Sequence, residues 1–460
     1  MTRDYAKEIH WIIQSREPDE DKKKKILSYH ESDIADALMQ LDKQERLKLY
    51  QILGKDRMAE IFSYLDDVET YIEEIPAHDA ADIIEQMDSD DALDVLTELD
   101  EANRNQIVLL MEKERVDDIR LIRQYSDDQI GSKMTNNFIL IDKENTVRSA
   151  MKTVVSEAAT HSNVSTIYVE DENHRFYGAI DLRDLIIARE TDDFQTVIKQ
   201  NYPAFSAKEA VDEVLLKCRD YGLDSYPILN EDFAVIGVIT ADDVVEAIDE
   251  ELGEDYAKLG GLTEEEDLKE PVFQSVKKRL PWLVILLFLG LVVSSLISGF
   301  EHVVAALPVV VFFQSMILDM AGNTGTQSLA VTIRLLSHDE ITKKEILKTI
   351  VKEFKIGFLN GLVLAMLAFG FVYLFLFVTK QAVTTDVFSH LEALKAAGIV
   401  GISLFLSMTV CSLVGSLIPI LFMKLKIDPA VASGPLITTI NDVLAVLVYY
   451  GLAALIFLNL

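Results

Sequence analysis

The chemistry in this sequence begins with Asp442, in the stretch Gly434-Pro-Leu-Ile-Thr-Thr-Ile-Asn-Asp442 inside an apolar segment from about Ala430 to Leu458. A helical rise of about 1.5 Å per residue puts its carboxylate roughly 20 Å past Asp428, near the middle of a bilayer about 30 Å thick. An ionisable group at that depth is costly, and its default role is a functional site facing a polar cavity. The competing explanation is an Asp hydrogen-bonded to a neighbouring helix. A second polar piece, Asp319-Met-Ala-Gly-Asn-Thr-Gly-Thr-Gln-Ser328, interrupts another apolar segment. It sets Asn323 about 16 Å from the boundary residue Arg334, at a depth similar to that of Asp442. Packing through Gly322 and Gly325 explains the glycines but leaves Asp319, Asn323, Thr324, Thr326 and Gln327 uncompensated. Polar groups at membrane depth are tolerated where they are buried or line water, so these residues are expected to line a pore.

A different chemistry is expected of two windows that contain no Lys or Arg, Met58–Asn103 and Asp220–Ala257. A solvated acidic face is the ordinary explanation, but such faces usually carry interspersed lysines. Without counter-ions these surfaces repel one another, and divalent cations would reverse that. The candidate ligands are Glu60, Asp91 and Asp94 in the first window. In the second they are Asp243, Glu246, Asp249, Glu251, Glu254 and Asp255.

These residues need elements to hold them. The 460 residues carry a net charge of −32, divided unequally. Residues 1–270 hold a balance of −35 and residues 271–460 a balance of +3. The acidity argues against a nucleic-acid binder, which needs a basic face. Cys218 and Cys411 form no plausible pair, as expected for a reducing compartment, and the charged stretch Met1–Asp21 does not read as a signal peptide. The eight histidines are scattered and no phosphate-binding Gly loop is present, so an enzyme is not expected.

Residues 1–130 read as an acidic all-α domain of packed short helices. Its stretches Asp33–Asp42, Asp79–Asp88 and Asp91–Asp100 share the pattern Asp-x-x-Asp-x4-Leu/Met-Asp, which suggests a small helical solenoid. Lys22 to Lys25 are expected on a solvated helix face. Residues 131–250 change to mixed helix and strand, with a duplication at a 59-residue offset that aligns Gly178 with Gly237. Residues 241–280 read as an acidic connecting helix and linker, broken at Gly260-Gly261 and Pro271. Residues 281–460 hold five apolar segments, roughly 281–300, 303–336, 356–379, 396–423 and 430–458. Lys and Arg cluster before the first segment, between the second and third, and between the fourth and fifth. That places the N-terminal half in the cytoplasm and the C-terminus outside the plasma membrane.

The strand-turn-strand-helix repeats Thr166–Leu182 and Ser225–Asp242 resemble a tandem pair of CBS domains. With Asp319–Ser328, Asp428–Asp442 and the linker Glu251–Gly260, nearly the whole chain resembles the MgtE family of magnesium channels. Ala321 stands where that family more often has Gly. The resemblance implies a homodimer with a pore on its two-fold axis, Asp442 as the ion-binding carboxylate, and a cytoplasmic magnesium gauge that closes the pore. Mg²⁺ keeps several waters and is held through one or two carboxylates, which a two-fold pair of Asp442 would supply. The Thr438 hydroxyl and carbonyls near Gly434 would accept hydrogen bonds from the hydrated ion. CBS pairs often hold adenosine ligands through a Thr/Ser and an Asp three residues on, so Thr240 and Asp243 are candidates for ATP. Asp181 at the equivalent place in the first copy would repel phosphate. Thr240 acting as a simple helix cap is the competing explanation. Two other readings stay open: a membrane-anchored CBS sensor that moves no ions, and a secondary transporter of divalent metals coupled to another cation.

Overall fold

Apolar residues at helical spacing build the N-terminal helices in a computed structural model that describes residues 5–65, 68–161, 163–266, 270–336, 342–380, 383 and 388–457. They are α1 (Tyr5–Gln14), α2 (Asp19–Ile26), α3 (Glu31–Gln40), α4 (Lys43–Leu53) and α5 (Lys55–Phe62). Then follow α6 (Val68–Ile72), α7 (Ala77–Ile84), α8 (Ser89–Glu98), α9 (Glu101–Leu110) and α10 (Lys113–Ile122). Helices two apart in sequence stack, α1 on α3, α3 on α5, α5 on α7 and α7 on α9, with α6, α8 and α10 stacking likewise. This is the neighbour-only packing of a solenoid. Each of the three repeated stretches begins two residues into its helix, α3, α7 or α8. One continuous core runs from Ile9 to Ile119. Lys22 departs from the expected solvated face: it is buried, with Nζ 3.3 Å from the Ile13 carbonyl and 3.6 Å from Asp19.

Two three-stranded sheets follow. The first is β1 (Ile139–Asp142), β2 (Thr166–Glu170) and β3 (Phe176–Asp181), and the second is β4 (Phe205–Ser206), β5 (Ser225–Leu229) and β6 (Val235–Thr240). In both, the middle strand pairs parallel with the first and antiparallel with the third. Their helices are α11 (Val147–Glu157), α12 (Leu182–Ile187), α13 (Val211–Tyr221) and the start of α14 (Ala241–Gly260). The 59-residue offset reappears in fine detail. Register shifts fall at Val169/Glu170 and Ile228/Leu229, and the non-glycine positive φ values at His174 and Phe233.

The chain divides into two compact units, Met1–Ile248 and Asp249–Leu460. In the second, α14 ends at Gly260, Gly261 takes φ +84°, and Pro271 caps α15 (Val272–Gly299). After α16 (Glu301–Ala306) come α17 (Val309–Leu336), α18 (Lys343–Thr379), α19 (His390–Lys424) and α20 (Gly434–Phe457). Among the described residues, α15, α18, α19 and α20 are long and apolar enough to cross a membrane, so this is a multi-pass membrane protein.

Several expected segment limits need correction. The segment 303–336 breaks at Leu307-Pro308, because proline cannot continue the preceding helix. The polar piece Asp319–Ser328 is not a break at all. It lies inside continuous α17, and its polar residues keep α17 out of the plainly apolar set. The helices that carry the apolar segments 281–300, 356–379 and 396–423 start earlier, extending through charged turns to Val272, Lys343 and His390. The segment 430–458 begins too early: a 3₁₀ turn at Pro429–Val431 precedes α20, and Leu458 lies outside the described residues. Asp442 is therefore only about 12 Å from the start of its helix.

Helix α19 is the central post, with half of its apolar stretch buried against 6 % for α15. It crosses α17 at Gly415, where an added Cβ would overlap the Gly325 carbonyl.

Candidate metal sites

The membrane site is built by α17 and α20, which run antiparallel in close contact. An added Cβ at Gly322 would lie 2.9 Å from Thr438 Cγ2, and one at Gly434 3.4 Å from Thr326 Cγ2. Nearer the other end, Tyr449 Oη donates to the Val310 carbonyl at 2.8 Å and Tyr450 Oη to Gln314 at 2.5 Å. This register sets Asp442 level with Asp319 and close enough for the two carboxylates to interact. Asn323 lies about one turn from Asp442, nearer Thr438.

Along α17, Asp319, Asn323 and Gln327 recur every four residues on one exposed face. That spacing is a single helical stripe. The threonine hydroxyls turn inward: Thr326 and Thr438 Oγ1 are 3.3 Å apart, and each donates to its own helix, at Gly322 and Gly434 carbonyls. A cleft of about 710 Å³ between α17, α18 and α19 is lined by Asn323, Thr326, Gln327 and Asn360. Sequence reasoning missed Asn360, because one amide in a long apolar run carries no spacing signal. It also missed Asn441, which is fully buried and presses its amide into the space over Gly325. Its Nδ2 reaches the Ala321 carbonyl at 3.5 Å and its Oδ1 has no partner.

The end of α14 meets the start of α20 within this unit. Leu259 packs with Leu329, Ile333, Ala432 and Ile437. Lys258 bridges Glu254 at 2.9 Å and Asp428 at 3.1 Å. Gly434 stands at this junction, with its Cβ direction 3.4 Å from the Leu259 carbonyl. Asp249, Glu251, Glu254 and Asp255 all lie on the part of α14 that belongs to this unit.

In the first unit, the structure brings Asp91, Asp94, Asp243 and Glu246 together and adds Asp88 and Asp90. Burial, then Asp88, Asp243, Glu246 and Asp94, pushes Asp91 up to about 7. Burial and then Asp243, Asp91 and Asp88 hold Asp90 well above the usual carboxylate range. Its Oδ1 is sealed from solvent with no hydrogen-bond partner. Asp243 is raised by burial despite hydrogen bonds from Thr240. Asp88 accepts from Asn137 at 3.0 and 3.1 Å. Six carboxyls crowded in this way are suited to a divalent cation, which carries the opposite charge and accepts only oxygen ligands here.

The first acidic window is less bare than its sequence suggests. Lys55 pairs with Asp79 and Asp82, and Arg46 with Glu74, both from outside the window. Glu60 is paired with Arg57, so the structure gives it a different partner from the cluster. Helix stacking supplies these counter-ions, which a linear window cannot reveal. His78, Asp79 and Asp82 also stand close enough to share a metal ion, with Lys55 already on both carboxylates.

At the candidate nucleotide position, Thr240 and Asp243 cap one another. The Thr240 amide donates to Asp243 Oδ2 at 2.9 Å and the Asp243 amide to Thr240 Oγ1 at 3.4 Å. In the first copy, Lys199 pairs with both Asp181 and Asp184 and offsets the charge expected to repel phosphate.

The chain thus joins a helical solenoid and two alike three-stranded sheets to a multi-pass helical membrane unit with polar residues on its helix faces. Residues 314–452 match the MgtE family model, described as a divalent cation transporter. Residues 29–128 match the MgtE intracellular N domain, and 128–190 and 195–250 match CBS domains. A magnesium transporter MgtE of Enterococcus faecalis is 34 % identical over 434 residues, covering 94 % of this chain and 92 % of that protein. Its Bacillus subtilis counterpart is 33 % identical over 343 residues, 75 % of this chain and 73 % of that protein. The chain belongs to the MgtE family. The crystal structure of the soluble part of a magnesium transporter shares the fold, with TM-score 0.50 and 24 % identity over 54 % of this chain and 98 % of that one.

Proposed function

We propose that this chain is a Mg²⁺-selective channel for magnesium uptake across the plasma membrane, closed by Mg²⁺ bound to its acidic cytosolic surfaces. The observation that carries the reading is the stripe Asp319, Asn323 and Gln327 exposed on α17 beside Asp442 on α20. An Asp, an Asn and a Gln on the outer face of a membrane helix are costly against lipid. A second copy across a two-fold axis turns that stripe into the wall of a shared pore. Two Asp442 carboxylates then hold a Mg²⁺ that keeps most of its waters, with Asn323 and Asp319 along its path; Thr438 and the carbonyl of Gly434 serve it only by giving up the hydrogen bond between them. An open ring of this kind lets the ion leave, which conduction requires.

In this reading α17 is the fifth span despite its polar residues, residues 1–250 are cytoplasmic and the C-terminus is extracellular. The magnesium transporter relatives support Mg²⁺ as the cargo. Internal Mg²⁺ binds the cluster of Asp88, Asp90, Asp91, Asp94, Asp243 and Glu246, and the acidic α14 residues Asp249, Glu251, Glu254 and Asp255. Glu60 acts only after leaving Arg57. Closing a gate from mostly open to mostly closed needs about 5.5 kcal/mol of differential binding. Couplings of about 1–3 kcal/mol per site reach that with a few ions. The contact of Leu259 and Lys258 with the feet of α17 and α20 offers the lever. ATP binding at this place requires the mutual cap of Thr240 and Asp243 to open.

Current recorded with Mg²⁺ as the sole permeant cation tests the channel assignment. A Mg²⁺ current that persists without any other ion gradient supports it. Strict dependence on a Na⁺ or H⁺ gradient would make the protein a coupled carrier instead.

A further inference from the structure

Helix α18 carries one buried charge that the ion pathway does not use. Glu353 is 3 % exposed, and its Oε1 is sealed from solvent with no hydrogen-bond partner. Among the described residues it makes no ion pair, and its neighbours Lys352 and Lys355 point to the exposed side of the helix. This burial is already present within one chain, so it does not depend on a second copy. An unpaired buried carboxylate is strongly destabilising, so the fold requires a compensating positive charge.

The surroundings specify its chemistry. The Ser412 hydroxyl on α19 donates to the Glu353 carbonyl at 2.9 Å and lies 2.8 Å from the Ser328 hydroxyl on α17. Gly357, one turn on, packs against Ser412 as well, and Gly361 meets Phe405 and Met408, so α18 and α19 run antiparallel here. A helical side chain leans toward the N-terminus of its own helix. That carries the Glu353 carboxylate toward the next turn of α19, the level of Ser416 and Pro419. Ser416 is fully buried. Pro419 has no N–H, which frees the Gly415 carbonyl of its helical hydrogen bond.

We propose that Glu353 binds an alkali cation, Na⁺, with the Ser416 hydroxyl and the freed Gly415 carbonyl. The donors are all hard oxygens, with no imidazole or thiol to select a transition metal. Mg²⁺ sheds its waters reluctantly and suits a wet pathway rather than a sealed helix crossing. The bound cation ties α18 to α19 where α19 meets α17 and steadies the helix that carries the polar stripe.

The test is thermal unfolding of the purified full chain in Mg²⁺-free buffer, in NaCl and N-methylglucamine chloride at equal ionic strength. Na⁺ should raise the midpoint by a few degrees, saturably, because it binds only the folded state. Glu353→Gln should abolish the difference between salts, and Ser416→Ala should raise the half-saturating Na⁺ concentration several-fold. Equal midpoints in the two salts for the wild type overturn the proposal. So does a midpoint that follows pH but not the cation, which would make the occupant a proton, or a Na⁺ shift that survives in Glu353→Gln. Should Glu353→Gln fail to fold, the wild-type salt comparison and Ser416→Ala decide.

Discussion

Replacing Asp91 by Asn should stabilise the Mg²⁺-free protein at pH 8. In the native cluster this carboxyl is moved from 3.8 to about 7 by burial and by Asp88, Asp243, Glu246 and Asp94. The ionised form therefore costs the fold on the order of 4 kcal/mol, at about 1.4 kcal/mol per pKa unit, an upper figure that solvent screening and local relaxation reduce. The sign follows from proton linkage. Between roughly pH 4 and 7 the native state holds more protons than the unfolded chain, so stability falls as pH rises through that window. The amide removes the charge and keeps the shape. The expected gain is about 2–3 kcal/mol at pH 8, roughly 5–10 °C in midpoint for a unit of this size, shrinking toward zero near pH 4. Mg²⁺ inverts the comparison: wild type gains stability as the ion displaces protons, and the variant gains much less. Thermal unfolding of the full chain at pH 8 and pH 5, with and without Mg²⁺, reads all of this. A variant no more stable than wild type at pH 8 without Mg²⁺, or equally stabilised by Mg²⁺, would refute the reasoning.

Two further substitutions probe other parts of the account. Gly415→Ala would drive a methyl into the Gly325 carbonyl at the crossing of α19 and α17. Overpacking of this kind costs about 1–3 kcal/mol, so the midpoint should drop, and an unchanged midpoint would mean that the crossing has slack. Thr240→Ala should lower stability by about 1 kcal/mol through the lost cap. If calorimetry finds ATP binding in the wild type, the same change should weaken it, and no heat from millimolar ATP would remove the nucleotide site.

The sequence spoke most clearly where a pattern was periodic or duplicated. The 59-residue offset reproduces bulges and left-handed turn residues down to His174 and Phe233 because both copies obey the same hairpin geometry. The Asp442 motif and the Asp319–Ser328 stretch were visible because polar residues stand out in apolar runs. The continuity of α17 was not legible, since Gly, Asn and Thr argue against helix locally and packing against α19 and α20 overrides them. Asp88 and Asp90 were hidden within a general acidity that gives no clue to which carboxyls are buried. The counter-ions Lys55 and Arg46 come from neighbouring helices, and Glu353 is an ordinary charged-turn residue until α19 closes over it.

The central claim rests on Asp442. It is tested most directly by Mg²⁺ flux into liposomes containing only this protein, wild type against Asp442→Ala, at low and high Mg²⁺ on the face that carries the CBS domains. Wild type should admit Mg²⁺ and shut when that face is Mg²⁺-rich. The variant should stay folded yet lose nearly all flux, with Asn323→Ala giving a smaller loss, as befits a neutral hydrogen-bonding group. Wild-type flux through folded Asp442→Ala protein would contradict the account.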